Sequence, residues 1–166
     1  LSECLRDAVI PAESYDKTAK KLSLRFLPLI PRSGINGISL AIGMNAFFLR
    51  YSLPYLAVWG VPKKKLFEEI RSLLEKDLPV ILSVGPNFPV LWGKSRLTYY
   101  GRRPDGSFYP AGNVKSHYVT VTGIDEDYLT VSSWGRKLYL SRSEYTDYIR
   151  QSSSGIVTNI LSLKER

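Results

Sequence analysis

The sequence has little of what most reactive or stapled sites are built from: one cysteine, one histidine and one methionine in 166 residues. A lone cysteine, Cys4, excludes an internal disulfide and a zinc site made of cysteines. So few thiols fit a reducing compartment, with the cytoplasm favoured. No apolar run reaches the about 18 residues that a membrane helix needs, because Gly, Asn or Arg interrupts each one first. No signal peptide is visible. There is no Gly-Lys-Ser/Thr phosphate loop, no Gly-x-Gly-x-x-Gly and no His-Glu-x-x-His. Gly-x-Ser-x-Gly is also missing, which disfavours a serine hydrolase. No metal or cofactor is implied. Internal repeats and low-complexity tracts are absent as well. The chain begins at Leu1 rather than Met, so a segment before it, removed or outside this sequence, is expected.

What is present is an ordinary hydrophobic content of 44%, enough for one domain over 1–166 with a sizeable core. Formal charge is +8 and the pI about 9.6. The basic residues are spread over Lys20-Lys21, Lys63-Lys64-Lys65, Arg102-Arg103 and Arg136-Lys137. That spacing describes a generic basic surface and argues against a nucleic-acid partner.

Patterning gives helices at 14–28, 37–51 and 63–76. The last has Leu66, Ile70, Leu73 and Leu74 on one stripe. Short strands follow Pro54 at 55–59 and Pro79 at 80–84. Pro104-Asp105-Gly106 marks a turn between 97–100 and 107–109, a hairpin. Strands are expected at 117–124, 128–133 and 137–140. Ser141 and Glu144 then form a capping box for a helix to about Arg150, and 156–163 closes the chain as a strand. Helices mostly first and strands mostly last make an α+β class, without βαβ repeats.

His117 is the residue of chemical interest. It opens His117-Tyr118-Val119-Thr120-Val121-Thr122-Gly123-Ile124-Asp125, and the returning strand ends Ser132-Ser133-Trp134-Gly135. A histidine base needs a second group that fixes its tautomer and stabilises its charged form. Ser132 or Ser133 could accept a hydrogen bond from the ring. Asp125 is an acidic alternative, but it sits at the far end of the strand. The plainer reading is a half-buried strand histidine bonded to backbone.

These two runs resemble the papain-like cysteine peptidase superfamily, where a histidine opens one strand and Asn-Ser-Trp-Gly closes the next. Over roughly 63–163 the order of elements is similar to the compact bacterial branch related to the bacteriocin-processing, C39-like peptidases. The resemblance implies a papain-like cysteine proteinase fold, with N-terminal helices packed on a C-terminal antiparallel sheet. It also implies hydrolysis of a peptide or protein substrate at an amide bond, by thiolate acyl transfer. By position, His117 is the general base, Ser132 stands where the family has its orienting Asn, and Trp134 shields that contact from water.

Three readings of the nucleophile stay open. It lies upstream of Leu1, or it is Cys4 with its pKa lowered by a helix N-terminus and by His117, or Cys4 is an inert thiol. In the last case the fold serves as an inactive binding module. Its surface is the basic, aromatic segment 86–115, with Asn87 and Trp92 among the substrate-binding candidates alongside Trp134. The plainer reading of that segment is a hairpin whose aromatics pack across the strands. The sequence does not give the oligomeric state.

Overall fold

The computed structural model describes residues 37–60, 63–84, 96–114, 117–152 and 160–166. They fall into two compact units, 37–59 with Leu163–Arg166, and Gly60–Ser162. The helix expected at 14–28 lies outside the described residues.

In the first unit, α1 (Gly37–Arg50) precedes β1 (Tyr55–Trp59). Ala41 and Phe48, seven residues apart, are buried on one stripe, while Ile38, Ile42 and Leu49 are exposed. The apolar 37–51 segment reads as a buried helix from its sequence, and the structure buries it on one face alone. Its apolar residues run around more of the circumference than the stripe needs. Gly37 is there for want of space: a Cβ at that point would fall inside the Trp59 ring. The Asn45 carboxamide holds β1 by both backbone groups of Ala57. Its Nδ2 donates to the Ala57 carbonyl (2.8 Å) and its Oδ1 accepts from the Ala57 N–H (2.7 Å). The helix stops because Ser52 adopts φ 52°, and the Leu53 and Ser52 N–H groups return to the carbonyls of Phe48 (2.8 Å) and Leu49 (3.2 Å). This is a Schellman stop with serine in place of the usual glycine.

The second unit begins with a 3-10 turn (Lys63–Lys65) that leads into α2 (Leu66–Glu75), together covering the expected helix. Leu66, Ile70 and Leu73 are buried at helical spacing, and Glu68 and Glu69 occupy the first turn, where the helix dipole favours negative charge. A second Schellman stop follows, with Asp77 at φ 56° and the Leu78 N–H on the Leu73 carbonyl (2.9 Å). The chain then enters the sheet: β2 (Val80–Val84), β3 (Leu97–Arg102), β4 (Phe108–Val114), β5 (His117–Ile124), β6 (Tyr128–Ser133) and β7 (Arg136–Ser141). α3 (Arg142–Ser152) follows, and β8 (Ile160–Glu165) contributes its first residues, Ile160 to Ser162, to this unit. The spatial order from β8 is β8-β2-β5-β6-β7-β3-β4, and the pairs β2–β8, β2–β5, β5–β6, β6–β7, β7–β3 and β3–β4 are all antiparallel.

β2 reads as a buried strand because it is central, between β8 and β5. α2 packs against β2 and β5, and α3 against β3 and β7. Ser141 caps α3 through the Glu144 N–H (3.4 Å). The return half of the expected capping box is replaced by a long-range bond, because the Glu144 carboxylate accepts from the Tyr100 hydroxyl. Arg142 fastens the β5–β6 turn, donating from Nη1 to the carbonyls of Asp125 (2.7 Å) and Glu126 (2.6 Å). These residues form an α+β protein of helices and a large antiparallel sheet. Among them, no helix is long and apolar enough to cross a membrane.

Candidate functional site

His117 is the first residue of β5 and stands opposite Val84 of β2. Side chains alternate along a strand, so His117 shares a face with the buried Val119 and Val121. On β6, Thr120 pairs with Ser132 and Val121 with Val131. The face that carries Val131 therefore carries Ser133, diagonally across from His117. The contact is made: His117 Nε2 lies 2.8 Å from Ser133 Oγ, and Ser133 is only 6% exposed.

Ser132 is on the opposite face, exposed, and level with Thr120 and Lys137. Of the two serines named as partners for the ring, Ser133 makes the contact and Ser132, which stands at the family's Asn position, does not. The cause is the two-residue period of the strand: a shift of one position moves a side chain through the sheet. Asp125 is not a partner of the ring either. Its Oδ1 accepts from the N–H groups of Asp127 (2.9 Å) and Tyr128 (2.6 Å), closing its own turn.

Trp134 and Gly135 join β6 to β7 with φ of 49° and 69°. Two positive φ values in a two-residue loop are the mark of a type I′ turn, which Asn-Gly makes easily and a bulky first residue does not. The strained position aims the indole. It stacks on the His117 ring at 4.1 Å and 10°, and meets Tyr99 edge to face at 6.1 Å and 87°. Trp134 nonetheless remains 68% exposed. One face of it roofs the imidazole while much of its surface is free.

Tyr99, from β3, is the member that sequence reasoning missed. It is 3% exposed, and its hydroxyl has no hydrogen-bond partner of good geometry among the described residues. Burial pushes its pKa up to about 12, with the neighbouring Ser133 hydroxyl acting in the opposite direction. The group is a neutral phenol at any ordinary pH. The signal in the sequence was slight: a tyrosine between Leu97 and Gly101 on the inward register of a strand that reaches β6 only through β7.

Burial also holds His117 below its ordinary value of 6.5. The imidazole is therefore neutral at pH 7 and able to take up a proton. Donor and acceptor in this contact follow the tautomer: with the proton on Nε2, Ser133 accepts and the lone pair resides on Nδ1. On the other side of β5, Tyr118 lies beside the buried Ser83, and burial raises its pKa. Among the described residues, no three His, Cys, Asp or Glu side chains group as metal ligands would.

Cys4, Asn87 and Trp92 lie outside the described residues. Of the hairpin aromatics that are described, Phe108 stacks on Tyr128 (4.0 Å, 17°) and meets Tyr139 edge to face (5.1 Å). Tyr100 also packs on Tyr128 (5.9 Å). These rings are engaged in cross-strand packing. Tyr109 remains at the surface, with the Arg103 guanidinium 5.0 Å from its centroid.

No family model matches the chain, and no curated protein matches it. Among solved structures the chain is similar to a "putative C39-like peptidase from Bacillus anthracis", at 15% identity and a TM-score of 0.47. The match covers 80% of this chain and 60% of that one, so this chain spans about 60% of the length of that protein.

Proposed function

We propose that this chain is a peptidase-like hydrolase of papain-like architecture that cleaves a peptide or amide bond of a peptide or protein substrate. Acyl transfer passes through a cysteine thiolate, with His117 as its base. The observation that carries this reading is the hold on His117: Nε2 lies 2.8 Å from Ser133 Oγ and the ring is roofed by Trp134.

Nδ1 takes the proton of the thiol, the sulfur attacks the carbonyl carbon, and the proton passes to the departing amine. Water then releases the acyl group from sulfur. Ser133 accepts from Nε2–H while the ring is neutral and while it is charged, so the ring keeps its orientation through the cycle. A hydroxyl stabilises the charged ring less than a carboxylate does. This makes the base modest in strength. The thiol is Cys4, the one cysteine of the sequence, or a cysteine preceding Leu1.

The test is cleavage of an unfolded protein substrate, followed by mass spectrometry of the peptides. Thiol-dependent cleavage is expected, and His117→Ala should reduce it by at least about 100-fold, the usual scale of a lost acid–base group. Full cleavage by a folded His117→Ala variant overturns the reading.

A further inference from the structure

The basic residues are spread along this chain, and the acidic ones are not. From Lys17 to Phe67 the sequence holds nine lysines and arginines and no aspartate or glutamate, so the whole excess of positive charge lies there. α1 sits in this stretch. Ile38, Ile42, Ala46 and Arg50 follow one another at four-residue spacing and form one row along the helix, with Leu49 beside them. Ile38, Ile42 and Leu49 are each more than half exposed, and Ala46 and Arg50 are exposed as well. Single apolar residues at a surface are ordinary, but a row of them marks a face that something covers.

The row ends in positive charge. Beyond Arg50 the chain turns through Ser52 to Pro54, and the Arg166 N–H reaches the Pro54 carbonyl (2.9 Å). Lys164, Glu165 and Arg166 are exposed at that end of β8. With Arg50 they are all the charged side chains among the described residues of this unit, three cations against one acid.

We propose that the exposed row of α1 docks on an anionic lipid surface, its apolar side chains entering the headgroup boundary and its basic end meeting the headgroups. Charge selects this occupant. A second copy of the chain, or residues 17–28 with four cations and no acid, would set like charge against like. An anionic bilayer supplies an apolar phase and the opposite charge together. Arg50 lays its methylenes along the row and keeps its guanidinium in water. Three large side chains and a few cations give a reversible attachment that salt loosens. His117 belongs to the other unit, so the proposal stands apart from the reading of that residue.

The test is co-sedimentation of the full chain with vesicles of phosphatidylcholine alone and of phosphatidylcholine mixed with phosphatidylglycerol. The chain should bind the mixed vesicles at low salt, bind them less as salt rises, and leave phosphatidylcholine alone. Arg50→Gln should weaken binding about fivefold, as expected of one cation near a charged surface. The double variant Ile38→Gln, Ile42→Gln should weaken it at least about tenfold. The replaced side chains are exposed, so both variants should unfold in urea together with the wild type.

No binding to the mixed vesicles overturns the proposal. So does binding that the double variant leaves at the wild-type level, because charge alone then accounts for it. A double variant that unfolds well before the wild type shows that this chain covers the row itself. A concentration-dependent dimer that the double variant abolishes shows that a second copy does. Either of these results also overturns the proposal.

Discussion

Replacing Trp134 by asparagine and by alanine separates the cost of its backbone from the worth of its ring. Trp134 sits at φ 49° in the first position of a two-residue hairpin loop. An L-residue other than glycine or asparagine held there costs roughly 1–2 kcal/mol. Against that stand two ring contacts, with His117 at 4.1 Å and Tyr99 at 6.1 Å, each worth about 0.5–1.5 kcal/mol. Trp134→Ala loses both contacts and keeps the backbone cost, so it should destabilise by about 1–3 kcal/mol. Trp134→Asn loses the same contacts but relaxes the turn, and should be more stable than the alanine variant by about 1 kcal/mol. In urea unfolding that difference is a midpoint shift of about 0.3–1 M. Both variants should also raise the His117 titration midpoint toward its ordinary value of 6.5, because the roof that keeps water from the ring is gone. Coincident unfolding of the two variants would refute the claim that the turn is strained in order to place the indole.

Other consequences follow from the same contacts. Asn45→Ala leaves the Ala57 N–H and carbonyl without their partners, and should cost about 1–3 kcal/mol by urea unfolding, with Asn45→Asp recovering only the accepting half. Ser52→Gly relieves a left-handed serine at an exposed helix stop and should raise stability by about 1 kcal/mol, seen as a higher melting temperature. Because the folded state resists protonating His117, the unfolded chain binds more protons below pH 6.5. Stability is therefore full above that pH and is lost as pH falls through it. A urea midpoint lower at pH 5.5 than at pH 8, with the difference reduced in His117→Gln, checks the sign.

Much of the sheet was legible because its signals are local. Val80 to Val84 reads as a buried strand from its composition alone, and the alternation of Val119 and Val121, and of Leu129 and Val131, sets two more. Pro104-Asp105-Gly106 announced its hairpin, although the strands run further, to Arg102 and from Phe108 to Val114, than the turn itself could indicate. The closing strand was expected at 156–163 and is described over Ile160–Glu165.

The sequence offered Ser132 and Ser133 as partners for the His117 ring without deciding between them, and the contact is made by Ser133. A one-step choice between Ser132 and Ser133 depends on which face of β6 is the inner one. Val131 decides it, through its pairing with Val121 on the face of His117. Tyr99 was out of reach for a different reason. It arrives through the order β6-β7-β3, a long-range arrangement that no local pattern encodes. Trp134-Gly135 was read as part of a family motif, and its role as a strained turn became visible only in the backbone angles.

The most direct test of the account is the rate at which Cys4 is alkylated by dilute iodoacetamide at pH 7, followed by intact mass, in the wild type and in His117→Ala. If His117 serves as base to this thiol, the wild type gains one adduct quickly and His117→Ala reacts at least about tenfold more slowly, as expected of a thiolate that has lost its imidazole partner. Slow alkylation at the same rate in both would contradict a thiolate–imidazole pair in this chain.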